Sequence, residues 1–193
     1  LPGVRQDINA FKKAVKDGEA DMKTLREMHS SVCARYPRFC LDYLTDNLTP
    51  KAPPVFPLRD WQAQLNHELK LPANDRTIKF YVDSTGNAGK TWFARYYMYL
   101  HKDAFYLRPM KHADMAYALP DTCRILFLDC TRQQLEHLPY SFLEACKDGL
   151  VFSSKYESRM KKFDKMHVVV FMNEEPDMNK LSEDRYEVLY LNT

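Results

Sequence analysis

Six small or polar residues, Asp83 to Ala88, run directly into Gly89-Lys90-Thr91. The amides of such a loop, and the start of a helix behind it, turn partial positive charge toward an anion. A lysine at that point adds a full charge at the β- and γ-phosphates of a nucleotide, and a threonine hydroxyl holds Mg²⁺. The chemistry implied is nucleotide binding by Gly86, Asn87, Ala88, Gly89, Lys90, Thr91 and Trp92. One position departs from the usual G-x-x-x-x-G-K-[ST] pattern. Ser84 stands where the first glycine belongs, and Gly86 lies inside the loop instead. A second chemical group is Asp129, the carboxylate that ends the apolar run Arg124–Asp129 about forty residues beyond Lys90. In P-loop ATPases a carboxylate so placed binds Mg²⁺ beside the γ-phosphate. A third is Asn173, just past the apolar run Met166–Phe171. There it either reaches the γ-phosphate and the attacking water or opens a turn with Glu174, Glu175 and Pro176.

The elements that position these groups are legible from periodicity. Phe80-Tyr81-Val82 predicts a buried strand, and Trp92, Phe93, Tyr96, Tyr97 and Leu100 predict a helix after the loop. Further strands are expected at 104–107, 124–129, 150–152, 166–171 and 186–191, with helices at 113–119 and 140–148 between them. Strands bracketing helices in this way predict an α/β domain with a mostly parallel sheet. Trp61, Leu65 and Leu69 make one helical stripe that Asp60 could cap. Upstream, residues 1–46 read as three short helices, with Ile8, Phe11 and Val15 on one face, Met22, Leu25, Met28 and Val32 on another after an N-cap at Asp21, and a last one from Phe39. Three small helices bury little alone, so they pack on the next domain or on copies of themselves. Residues 47–58 carry Pro50, Pro53, Pro54 and Pro57, which predicts a stiff linker and a domain boundary, leaving 59–193 as the second domain.

Composition excludes some classes. The chain has 193 residues, 45% of them hydrophobic, and a net charge of +2, so no global basic field attracts nucleic acid. A local one exists: residues 155–165 hold five basic and two acidic residues. Bracketed by two strands, that segment predicts a hairpin placing Lys155, Arg159, Lys161 and Lys162 against phosphates, or else a solvated charged loop. The five cysteines form no C-x-x-C pair and read as reduced thiols of an intracellular protein. The six histidines have no ligand spacing, no apolar run approaches membrane length, and a chain starting at Leu1 reads as a fragment.

Taken in order, RDWQ (59–62), GNAGKT (86–91), ILFLDCTR (125–132), KDG and FSSKYES (147–158), VVVFMNEEPD (168–177) and LSEDRY (181–186) resemble the replication initiator (Rep) proteins of circular single-stranded DNA viruses, circovirus- and nanovirus-like. The resemblance covers nearly the whole chain. It implies a helical oligomerisation domain at 1–46 and a superfamily 3 helicase, an AAA+-like P-loop ATPase, behind it. It further implies ATP and Mg²⁺ as cofactors, single-stranded DNA as partner, self-assembly into a hexamer or similar ring, and work in the host nucleus during rolling-circle replication. Lys90 and Thr91 then match Walker A, Asp129 matches Walker B, Asn173 the sensor, Lys155 the approach to a DNA-touching hairpin, and Arg185 the Arg of a Ser-x-Asp-Arg segment. That arginine reads either as an arginine finger toward the neighbouring subunit or as a salt-bridge partner of Asp184 or a neighbouring Glu. Two features depart from the family. Leu128 and Cys130 flank a single acid where many relatives have two, which leaves Glu144 as the candidate water-activating base. The endonuclease signatures, His-hydrophobe-His and a nucleophilic Tyr followed by Lys, are absent from this sequence. A nucleotide-dependent assembly module and a small-molecule kinase are the competing expectations.

Overall fold

Short apolar runs, each flanked by turn residues, become a parallel sheet of five strands. These are β1 (Ile78–Val82), β2 (Ala104–Leu107), β3 (Ile125–Asp129), β6 (His167–Met172) and β7 (Tyr186–Tyr190), in spatial order β2-β3-β6-β1-β7. Every pairing in it is parallel, with Val82 level with Met172 on one side and Tyr190 on the other. The central strands β1, β3 and β6 are buried on both faces, which is why they read as nearly continuous apolar runs, while the edge strands β2 and β7 are half-buried. Alternation sends Ile78, Phe80, Val82, Leu126, Leu128, Val168 and Val170 to one face, against α7 (His112–Ala118) and α8 (Tyr140–Asp148). Tyr81, Phe127, Val169 and Phe171 point to the other, against α5 (Asp60–Glu68) and α6 (Lys90–Leu100). A separate antiparallel hairpin, β4 (Leu150–Ser153) and β5 (Arg159–Lys162), follows α8. Gly149 makes that exit possible. Its φ is +72°, and a Cβ there would stand 2.6 Å from the carbonyl oxygen of Phe163.

The computed structural model describes residues 5–19, 21–48, 51–132, 134, 138–156 and 158–191. The chain divides into two units at Lys51/Ala52. The linker's Pro50 and the basic segment's Glu157 lie outside the described residues. Residues beyond the division belong to the α/β unit: Pro53 is buried, and the Pro54 carbonyl accepts a hydrogen bond from Trp92 Nε1 at 2.9 Å. Asp60 is the first helical residue rather than the cap. The end of α5 is closed instead by the Gln62 side chain, which accepts from the Arg59 amide at 2.9 Å.

The first unit contains α1 (Gln6–Lys16), α2 (Met22–Met28), α3 (Ser30–Arg35) and α4 (Pro37–Asn47), four helices where periodicity predicts three. Asp21 caps α2, accepting from the Lys23 and Thr24 amides at 3.1 Å each. His29, at φ −126° and ψ 42°, breaks the expected second helix in two. The break turns Met28 outward while Leu25, Val32, Cys33, Cys40 and Leu44 close over Phe11 and Val15. All five cysteines are buried and free. Burial pushes the Cys123 and Cys130 thiols up to about 12, and burial with the neighbouring Cys33 pushes Cys40 up to about 11. Among the described residues no helix is long and apolar enough to cross a membrane.

Candidate nucleotide site

Parallel strands bring all their C-terminal ends to one edge, and the loop after β1 opens there. Gly89, at φ +83°, turns the chain into α6, so the loop amides and the first turn of the helix face one small volume. A carboxylate of the chain itself sits in that volume. Asp83 is fully buried, and its two oxygens accept from the amides of Gly86 at 2.8 Å and Ala88 at 3.1 Å and from Lys90 Nζ at 2.5 Å. Burial drives its pKa up, but the Lys90 ammonium and the two amides outweigh burial and hold it below the ordinary carboxylate value. These are the donors that an anion-binding loop offers, so the donor set fits a phosphate.

Further side chains converge on the loop. Thr91 Oγ1 donates to Asp129 Oδ2 at 2.8 Å, and the Tyr106 hydroxyl donates to the same oxygen at 2.9 Å. Asp129 ends β3 and Tyr106 lies on the neighbouring β2, so strand pairing alone sets this contact. Hydroxyl and carboxylate oxygens are the hard ligands Mg²⁺ takes. Asn173, one residue past β6, donates from Nδ2 to the Asp83 carbonyl at 2.8 Å, so the strand next to β1 steadies the loop. Arg132 Nη2 reaches the Ser84 carbonyl at 3.2 Å. From the other side Trp61 Nε1 donates to the Ala88 carbonyl and Gln62 Nε2 to that of Gly89, both at 3.2 Å. A Cβ on Gly89 would lie 2.9 Å from that Gln62 nitrogen, the movable end of a side chain, so it is the φ of +83° that calls for glycine here. The spacing of the motif does not single out Asp83, Tyr106, Arg132 or Gln62. The RDWQ run gave a signal for Gln62 and the ILFLDCTR run for Arg132.

Several expected site residues lie elsewhere. The Trp92 side chain is turned away from the loop, stacked on Tyr96 with ring centroids 5.1 Å apart and bonded to Pro54, so only its backbone amide belongs to the phosphate end of α6. Glu144 and Arg185 are together, at 3.2 Å, and Arg185 also pairs with Asp148 at 2.8 Å. Arg185 directly precedes β7, whose first residue pairs with the first residue of β1. It therefore sits at the opposite end of the sheet from the loop, about 13 Å away along β1. It is also buried. Arg185 is thus engaged within its own chain, in a salt bridge with a Glu that the sequence also allowed. Glu144 lies with it rather than beside the loop, which corrects its expected place as a base at the phosphates.

The basic segment does form a hairpin, yet its charges are mostly spoken for. Lys161 is buried opposite Val151, and its ammonium donates to the Tyr117 and Leu119 carbonyls at 3.1 and 2.5 Å. Burial lowers its pKa. It closes the C-terminus of α7 and does not face solvent, so its expected place against phosphates is corrected. Lys155 pairs with Asp114, and Arg159 with Asp121 at 2.9 Å, both exposed. Lys162 is exposed beside Leu150, with Phe152 and Met160 on the same open face of the hairpin.

No protein-family model matches the chain. The Para-Rep C10 protein of Milk vetch dwarf C10 alphasatellite is 33% identical over 142 residues, 70% of this chain and 49% of that protein. Para-Rep C7 of Faba bean necrotic yellows C7 alphasatellite is 35% identical over 141 residues, 69% of this chain and 48% of that protein. The master replication protein of Faba bean necrotic yellows virus is 33% identical over 132 residues, 68% of this chain and 45% of that protein. The chain is a homologue of these replication proteins. It spans about half the length of the curated relatives it matches. Among solved structures, the apo C-terminal region of NrS-1 shares a TM-score of 0.44 and 10% identity, over 74% of this chain and 40% of that one.

Proposed function

We propose that this chain is the ATP-hydrolysing, DNA-translocating part of a viral replication protein acting in the host nucleus. One observation carries the reading: Asp83, Lys90, Thr91, Asp129 and Asn173 converge on a loop whose donors are already arranged around an anion. In this reading the triphosphate takes the place of the Asp83 carboxylate, and the Gly86, Ala88 and Lys90 donors turn to it. Thr91 and Asp129 hold Mg²⁺, which neutralises charge on the β- and γ-phosphates when bound. Asn173, fixed to the Asp83 carbonyl, stands at the same edge and orients the attacking water. Tyr106 fixes the free rotation of the Asp129 carboxylate. Lys162, with Lys155 and Arg159 once released from Asp114 and Asp121, meets the phosphates of single-stranded DNA without reading bases. Copies of the chain assemble into a hexamer or similar ring through the helical unit, which leaves Met28, Phe39, Leu41 and Leu48 exposed.

The test is ATP turnover by the chain and by Lys90→Ala, each with and without single-stranded DNA. Turnover that DNA stimulates, and that falls by about two orders of magnitude or more in Lys90→Ala, is the expected result. Near-normal turnover in the variant would overturn the assignment of the loop. Turnover that DNA leaves unchanged would favour a nucleotide-dependent module without translocation.

A further inference from the structure

Resting on that reading, the structure also assigns a place for the nucleotide's base. Residues 52–58 cross the first turn of α6 and are pinned there through the Trp92–Pro54 hydrogen bond at 2.9 Å. Behind them, Trp61 is bonded to the Ala88 carbonyl inside the loop. A segment held this firmly nevertheless points two large apolar side chains into solvent: Val55 is 83% exposed and Phe56 56%. The Phe56 ring rests with one edge on Trp92, centroids 5.7 Å apart and planes at 60°, and Trp92 is in turn stacked on Tyr96 at 13°. The result is an aromatic cluster whose outermost ring, Phe56, is more than half exposed.

The direction of a bound nucleotide follows from the other side of the helix. Thr91 and Asp129 mark the metal and γ-phosphate end, and they lie toward β3. Lys90 reaches Asp83, the residue that follows β1. Sugar and base must extend away from the metal end, over the remaining side of the first helical turn, and that side carries Trp92 with Phe56 on it. We propose that Phe56, with Val55 beside it, is the platform on which the base of the bound nucleoside triphosphate stacks. A π-face of this kind accepts any base, because stacking reads area and polarisability rather than hydrogen bonds.

The experiment compares Mg-ATP with Mg-tripolyphosphate, which has the phosphates and no base. Both are titrated calorimetrically into the chain, Phe56→Ala and Phe56→Trp. Because Phe56 is mostly exposed, Phe56→Ala leaves the fold intact, checked by its melting temperature. Expected is a weakening of ATP binding by about tenfold in Phe56→Ala, unchanged tripolyphosphate binding, and recovery of ATP affinity in Phe56→Trp. ATP affinity unchanged in Phe56→Ala, with tripolyphosphate still bound by the parent chain, overturns the platform and leaves the phosphate loop standing. Equal weakening of both ligands also overturns it, since Phe56 then acts only by shaping the loop. A changed sedimentation coefficient with unchanged ATP affinity assigns the patch to a second copy instead. A parent chain that binds neither ligand removes the phosphate-loop reading and the platform together.

Discussion

The Asp83 carboxylate competes for the donors a phosphate needs, and Asp83→Asn measures that competition. The substitution keeps the side-chain shape, removes the charge opposite Lys90, and sets an amide N–H₂ where a donor now points. The ion pair is well enclosed, with side-chain exposures of 10% for Lys90 and 0% for Asp83. A hydrogen bond to a charged group contributes about 1.5–3 kcal/mol net, against about 0.5–1.5 for a neutral one. The difference, about 1–2 kcal/mol, no longer has to be displaced when a nucleotide arrives. Mg-ADP should therefore bind Asp83→Asn about five- to thirtyfold more tightly, read by calorimetry at fixed salt. The ligand-free variant should melt lower, by about 2–4 °C for each kcal/mol lost. The acid limb adds a check. Because the folded pKa of Asp83 lies below its ordinary value, its contribution to stability is present above pH 3.8 and is lost as pH falls through the folded pKa. Parent and variant should thus converge in melting temperature in strong acid. Equal or weaker Mg-ADP binding by Asp83→Asn would refute the competition and place the carboxylate in the nucleotide-bound site as well.

Arg185→Ala should act on stability, lowering it by about 1–3 kcal/mol in chemical denaturation because Glu144 and Asp148 lose a buried partner. Mixed with Lys90→Ala chains it should restore no ATP turnover, and restored turnover would reinstate a role across subunits. Lys162→Ala should reduce the salt slope of single-stranded DNA binding by about one unit, whereas Lys161→Met should leave the slope unchanged and lower the melting temperature. A slope that falls in Lys161→Met would contradict its inward placement. Gly149→Ala combines a left-handed backbone with a Cβ 2.6 Å from the Phe163 carbonyl, and should cost about 2 kcal/mol or more in denaturant titration.

What sequence could and could not reveal follows from the range of the interactions. Lys90, Thr91, Asp129 and Asn173 each stand at the C-terminal end of a strand or the start of a helix. Local pattern marks such ends, and the parallel sheet gathers them without further information. Asp83 is adjacent in sequence yet illegible, because its role depends on the loop curling back so that amides three and five residues later reach it. Tyr106 sits mid-pattern in an apolar strand and gains its partner only from the register of β2 on β3. Arg185, Glu144 and Lys161 have the residue types of catalysis and DNA contact, and charge alone cannot tell an outward side chain from one folded onto a carbonyl or a carboxylate. Alternation along β5 held the missing information for Lys161, since Val151 opposite it faces inward. The break at His29 is likewise tertiary: periodicity runs through it, and the packing of Leu25 and Val32 on Phe11 does not.

The distribution of thiols has a practical consequence. Cys33 and Cys40 lie in the core of the helical unit, and Cys123, Cys130 and Cys146 in that of the α/β unit. Burial raises the pKa of Cys40, Cys123, Cys130 and Cys146, and Cys33 is enclosed as they are, so an alkylating reagent can reach these thiols only after the surrounding core has opened. The chain thus carries native chemical clocks in each half. Labelling rates at Cys33 and Cys40 time the breathing of one half and those at Cys123, Cys130 and Cys146 the other, so mass spectrometry can follow which half a nucleotide, a DNA strand or a neighbouring copy quiets, with no probe introduced.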